Sequence, residues 1–184
     1  MTIVFVRGTS GSGKSTLVRE IMSGYETKEP EFVEKRKQPL SYTLMSPGKK
    51  SLYVLGHYST ACGGCDTLPT LDMIFSMIRA AHADGKHVIA EGMLLASDVK
   101  RAVAVAEETN DVLIVSLTTP IDQCCDNIRM RRAAKGNDKE LNETNTRNRH
   151  NYEQKQIEKL KAANVDIRAL TYDEALETIR RAFN

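Results

Sequence analysis

Residues 8 to 16 read Gly8-Thr9-Ser10-Gly11-Ser12-Gly13-Lys14-Ser15-Thr16 and directly follow the apolar run Ile3-Val4-Phe5-Val6. Residue types at this spacing cradle a polyphosphate. The glycines let consecutive backbone N–H groups turn inward around phosphate oxygens, where a Cβ would obstruct them and where some positions need a positive φ. Lys14 supplies a mobile cation for the β- and γ-phosphates, and Ser15 a hydroxyl for the Mg²⁺ that bridges them. Leu17, Val18, Ile21 and Met22 continue as the apolar face of a helix whose N-terminal dipole points at the same phosphates. The order of strand, loop and helix that the motif requires is met. Gly8 to Thr16 are therefore expected to bind ATP with Mg²⁺.

Two acidic residues fall where a core strand would deliver its C-terminal end, the edge at which parallel sheets bind ligands. Glu91 closes His87-Val88-Ile89-Ala90 and precedes Gly92. A carboxylate there faces the phosphate loop and either holds Mg²⁺ through water or accepts a proton. Asp66 ends a loop, Gly56-His57-Tyr58-Ser59-Thr60-Ala61-Cys62-Gly63-Gly64-Cys65-Asp66, that is dense in small and polar residues and occupies the place of a substrate loop. For phosphoryl transfer to a hydroxyl, Asp66 is the first candidate for the base, with His57 and Glu91 as alternatives. Cys62 and Cys65 could grip zinc or form a disulfide. Zinc needs two further ligands, and Cys124 and Cys125 are adjacent on a predicted helix, so they point about 100° apart. Small thiols packed in a glycine-turned loop are the favoured reading, with Cys124 and Cys125 in the core.

The stretch from Arg129 to Asn151 is the least apolar, with arginines and lysines spread around the turn signal Gly136-Asn137-Asp138. It reads as two helix ends joined by a cap, a lid over about 130–150. Arg129, Arg132 and Arg147 are expected to neutralise the transferring phosphoryl group while the closed lid excludes water. A solvated, charged helix pair is the plain alternative. A second basic group, Lys35, Arg36, Lys37, Lys49 and Lys50 near Tyr42 and Tyr53, suits either a nucleic-acid backbone or a sheet edge guarded by lysines.

Five β-like runs, 3–7, 51–56, 87–91, 112–117 and 165–170, alternate with helical patterns such as Leu71, Ile74, Phe75 and Ile78. The alternation predicts an α/β fold: a three-layer P-loop NTPase sandwich around a five-stranded, mainly parallel sheet, with a hairpin insertion over about 31–50. The 184 residues are expected to form one domain with its own core. Hydrophobic content of 41% with 27% charged residues fits a globular class, and the net charge of +2 does not by itself announce nucleic-acid binding. No apolar stretch approaches the length of a membrane span, and Met1-Thr2 lack the charged segment of a leader. A cytoplasmic protein with reduced thiols, no membrane contact and no obligate protein partner is expected.

The motifs Arg7 to Thr16, Gly56 to Asp66 and Ala90-Glu91-Gly92 together resemble those of phage-encoded P-loop kinases. Among these the chain looks most like the 5-hydroxymethyluracil DNA kinases of phages with hypermodified thymine. The long loop from Gly56 to Asp66 carries the narrower likeness. The resemblance implies ATP-dependent phosphorylation of the 5-hydroxymethyl group of uracil bases already in DNA, with Asp66 activating that oxygen. A kinase for a nucleoside, nucleotide or sugar is the nearest alternative. A nucleotide-driven switch is a third, but Glu91-Gly92-Met93 lacks the second acid that such a switch would carry.

Overall fold

Strand β1 (Ile3–Arg7) is buried along its whole length and sets the plan of the molecule. Its alternate residues feed two cores. Ile3 and Phe5 pack with Phe75, Ile78, Val105 and Ile114, while Val4 and Val6 pack with Leu17, Val18, Val115 and Leu176. The first core is covered by α2 (Leu71–Ala83), α4 (Val99–Thr109) and α6 (Glu143–Ala162), the second by α1 (Lys14–Ser23) and α7 (Tyr172–Ala182). A strand covered on both faces reads as an unbroken apolar run, which is why β1, β5 (His87–Glu91) and β6 (Val112–Leu117) are so plain in the sequence. The computed structural model describes residues 1–60 and 63–184.

The sheet has seven strands in the order β2-β3-β4-β5-β1-β6-β7. Five of them, β4 (Leu52–Leu55), β5, β1, β6 and β7 (Asp166–Leu170), are parallel and match the five runs expected. Strands β2 (Thr27–Glu31) and β3 (Ser41–Met45) extend the sheet antiparallel, so it holds two strands more than predicted. β3 lies inside the expected insertion, but β2 precedes it. Its residues Thr27-Lys28-Glu29-Pro30-Glu31 are all exposed, carry no apolar alternation and tolerate Pro30 because the strand is an edge.

Parallel strands send their C-terminal ends to one edge of a sheet. That edge carries the phosphate loop after β1, the loop from Gly56 after β4, Glu91 at the end of β5 and Thr118-Thr119 after β6. Because β1 is central, the phosphate loop stands between two walls, one built on β4 and β5 and the other on β6 and β7. Two further helices, the short α3 (Met93–Ser97) and α5 (Ile121–Ala133), open from β5 and β6 on this same edge. Residues 134–142 join α5 to α6 in the place of the expected lid. No helix among the described residues is long and apolar enough to cross a membrane.

Helix α6 is fastened to the end of β1. Arg7 Nε donates to Glu153 Oε1 at 2.9 Å, with the two side chains only 2% and 4% exposed. Arg7 Nη2 donates to the carbonyl of Ala96 in α3. Nearly a turn earlier on α6, His150 Nδ1 lies 2.8 Å from Thr9 Oγ1 in the phosphate loop. Removing one member of so buried a pair leaves an uncompensated charge. Glu153→Ala is expected to cost about 3–5 kcal/mol of stability, measured by urea denaturation, and the double variant Arg7→Met with Glu153→Leu to recover most of the loss. Equal destabilisation by the single and double variants would contradict this account.

Candidate active site

The phosphate loop is held open by side chains that occupy its carbonyls. Lys14 Nζ donates to the carbonyls of Gly8 at 2.8 Å and Thr9 at 3.1 Å. Asn127 Nδ2 on α5 donates to Gly11 at 2.8 Å, and Thr119 Oγ1 donates to Ser12 at 2.9 Å. The first amides of α1 have no acceptor within their own helix. Gly11 has φ +85°, and a Cβ there would stand 2.3 Å from the carbonyl oxygen of Cys124, so only glycine lets the loop lie against α5. Ser12 Oγ is buried and without a partner among the described residues. Donor amides, one cation and an orphaned hydroxyl fit a polyphosphate.

Glu91 lies at the centre. It is 2% exposed, and its Oε1 accepts a hydrogen bond from Ser15 Oγ at 2.7 Å. Burial pushes its carboxyl above the usual carboxylate range, while the Lys14 charge and the Ser15 hydroxyl oppose that shift. A hydroxyl and a carboxylate this close are an oxygen donor pair of the kind Mg²⁺ takes. Ser15 and Glu91, the two metal ligands expected from the sequence, thus stand together beside Lys14.

These groups share one cavity of about 1010 Å³. Thr119, Gln123, Asn127, Arg131 and Tyr172 line it on the side of β6 and β7, and Arg19, Ser59, Thr60, Gly63, Asp66 and Met93 on the side of β4 and β5. Asp66 sits in a short 3-10 turn, Cys65–Thr67. Its Oδ2 accepts from the Met93 amide at 2.8 Å and its Oδ1 from the Leu94 amide at 2.9 Å, so Asp66 caps α3 and also lines the cavity. His57, the alternative base, is 3% exposed, bonds through Nδ1 with Ser59 Oγ at 3.2 Å and does not line the cavity. Burial, and then the charge of Arg36, lower its pKa.

An AAA domain family model matches residues 3–153. A 5-hmdU DNA kinase of Pseudomonas phage PaMx11 is 42% identical over 180 residues, covering 97% of this chain and 95% of its own. This chain belongs to that family of phage DNA kinases. A second 5-hmdU DNA kinase, from Delftia phage PhiW-14, is 30% identical over 151 residues, which are 73% of this chain and 54% of that longer protein. Among solved structures, a gluconokinase from Sinorhizobium meliloti 1021 is similar over 99% of this chain and 89% of its own, at a TM-score of 0.43 and 16% identity.

In this phage kinase the cations at the cavity differ from those read off the sequence. Arg129 pairs with Asp126 and Glu143, and Arg147 with Asp122 and Glu143; Arg132 donates to the carbonyls of Lys139 and Glu140. None of the three lines the cavity. They knit the end of α5, the 134–142 connection and the start of α6 to one another, because acids at i±3 or i±4 and nearby carbonyls lie within their reach. Arg19, Arg131 and Lys135 line the cavity instead. Their signal was helical spacing: Arg19 stands four residues after Ser15, and Gln123, Asn127 and Arg131 recur every fourth residue on α5, with Lys135 one interval further, just past the helix end.

The cysteines carry no metal site among the described residues, where no group of three or more His, Cys, Asp or Glu converges. Cys65 is a fully buried thiol whose pKa burial pushes well up, and Cys124 and Cys125 are core thiols, as expected. Cys62 lies outside the described residues.

The raised pKa of Glu91 makes a prediction whose sign can be worked out. The folded protein binds this proton more tightly than the unfolded chain, so the contribution is favourable at low pH and is lost as pH rises through the folded value. At neutral pH the ionised carboxylate costs stability. Glu91→Gln should therefore melt above wild type at pH 7, with the gap closing in acid, while turnover falls by about 10- to 100-fold. A glutamine variant that melts lower at pH 7 would contradict the assignment.

Proposed function

We propose that this protein transfers the γ-phosphate of ATP to the 5-hydroxymethyl group of 5-hydroxymethyluracil in phage DNA, a step in base hypermodification. The observation that carries the proposal is Asp66, a carboxylate fixed by two backbone amides on the wall of the cavity that also holds Lys14, Ser15 and Glu91. Membership of the phage kinase family supports it, as does a cavity of about 1010 Å³ that the phosphate loop and Asp66 share.

Lys14 and residues 8–13 would hold the triphosphate, and Ser15 with Glu91 would hold Mg²⁺, which when bound offsets charge on the transferring group. Asp66 takes the proton of the hydroxymethyl oxygen as that oxygen bonds to the γ-phosphorus and the bond from phosphorus to the ADP oxygen breaks. Arg19 and Arg131 supply positive charge from opposite walls, in the role the sequence gave to Arg129, Arg132 and Arg147. The hydroxymethyl group of a stacked base projects into the major groove, whereas Asp66 is an exposed residue on the wall of the cavity that holds the phosphate loop. Flipping the nucleotide out of the stack would carry that group into the cavity to Asp66.

Incubation with γ-labelled ATP and hydroxymethyluracil DNA, unmodified DNA or the free nucleoside tests the proposal. Label is expected in the modified DNA alone. Label in the nucleoside but not in the polymer would return a small-molecule kinase, and release of phosphate with no labelled acceptor a nucleotide-driven switch. Lys14→Ala should abolish transfer. Asp66→Asn should lower kcat by about 10²- to 10⁴-fold with KM for ATP within about twofold; normal turnover would move the base to Glu91.

A further inference from the structure

The segment between β2 and β3, residues 32–40, takes no part in the chemistry above. Phe32 and Val33 are 55% and 45% exposed, the most exposed pair of adjacent large apolar residues among those described. They are followed by Lys35, Arg36 and Lys37 against one acid, Glu34. Lys35 holds a left-handed backbone, φ +67°, which costs a non-glycine residue about 1–2 kcal/mol and turns the chain sharply between the apolar pair and the cations.

Topology places this segment at the active-site edge. Strand β4 is parallel to β1 and both β3 and β2 alternate in direction from it, so the connection from β2 to β3 lies at the C-terminal edge of the parallel strands. The turn from β3 to β4, which bears Lys49 and Lys50, lies at the opposite edge. Strands of four to five residues separate the two by roughly 15 Å. The basic cluster seen in the sequence is therefore two clusters. Lys49 sits 5.4 Å over the Tyr25 ring, and Tyr53 is buried with its hydroxyl on Glu31, so neither serves a ligand at the site.

Side-chain and backbone bonds clasp the segment to the acceptor wall. Arg36 turns inward, donating from Nη2 to the carbonyl of Thr67 at 2.6 Å and from Nε to that of Gln38 at 2.9 Å. Thr67 directly follows Asp66, and its Oγ1 donates to the carbonyl of Gly64 at 2.7 Å. At the other end the Gly56 amide donates to the carbonyl of buried Leu40 at 2.6 Å. Phe32, Val33, Lys35 and Lys37 are thus held outward beside the loop that carries Asp66.

We infer that residues 32–37 are the surface that grips DNA next to the acceptor nucleotide, with Lys35 and Lys37 on backbone phosphates and Phe32 with Val33 against the bases uncovered when that nucleotide leaves the stack. This rests on the acceptor reading above. A flipped nucleotide leaves apolar base faces without a neighbour, and an exposed apolar side chain flanked by cations is the complement of that gap.

The test compares wild type, the double variant Lys35→Ala with Lys37→Ala, Phe32→Ala, and Lys49→Ala with Lys50→Ala as the opposite-edge control. Losing two phosphate contacts should flatten the dependence of log binding constant on log salt by about 1.8 for duplex DNA, with KM for ATP unchanged. Phe32→Ala should raise KM for modified duplex about tenfold and for single-stranded DNA much less, since no stacked partner need be replaced there. The control should match wild type. If wild type phosphorylates the duplex but the first two variants share its salt slope and KM, this interface is wrong and the acceptor reading stands. If wild type labels neither duplex nor single-stranded modified DNA, the acceptor reading falls and the interface with it; label in single strands alone keeps the acceptor reading and overturns this interface.

Discussion

A carboxylate kept out of water between one ammonium and one hydroxyl is the constraint around which the rest of this molecule is arranged. Glu91 loses hydration at the end of β5, and Lys14 and Ser15 return only part of what it loses. Such a group keeps its place only if its neighbours cannot relax away. The five parallel strands provide that rigidity, since β5 and β1 are paired from Ile3 with Val88 to Val6 with Glu91. Gly64 then presses its backbone against Glu91 so closely that a Cβ would stand 2.6 Å from Oε1. The loop that bears Asp66 is in this way seated on the residue that would hold the metal.

A second buried charge performs the same service for the loop. Arg7 immediately precedes Gly8, and its guanidinium is fixed by Glu153 and by the Ala96 carbonyl. Buried ion pairs add little net stability over apolar packing, but they punish misplacement, because either charge alone is costly. The pair therefore serves position more than strength. It holds the end of β1, α3 and α6 in one arrangement, and α3 is the element whose N-terminal amides orient Asp66.

Much of this was legible in the chain. The phosphate loop and the five parallel strands announce themselves because buried strands are apolar throughout and the loop needs its glycines in order. Glu91 and Asp66 were singled out by asking where strands end, and both line the cavity. The edge strand β2 was hidden because an exposed ribbon needs no apolar face, and Pro30 looks like a breaker wherever pairing on both sides is assumed. The arginines were misassigned for a related reason: charge density marks a region as polar, whereas which cations face a cavity depends on helical phase. Arg129 and Arg147 point to acids on the outside, and Arg131 points in. The basic cluster divided because adjacency in sequence across a hairpin is not adjacency in space.

Sheet order has a consequence for how such a protein can change over generations. One wall of the cavity hangs from β6 and β7 and the other, which bears Asp66, from β4 and β5, with the antiparallel strands β2 and β3 beyond the latter at the far margin. Insertions or substitutions at that margin leave the pairing of β1 with β6 untouched. A lineage can therefore refit the side that meets its acceptor, lengthening a hairpin or exchanging a few exposed side chains, while inheriting the phosphate-handling half intact.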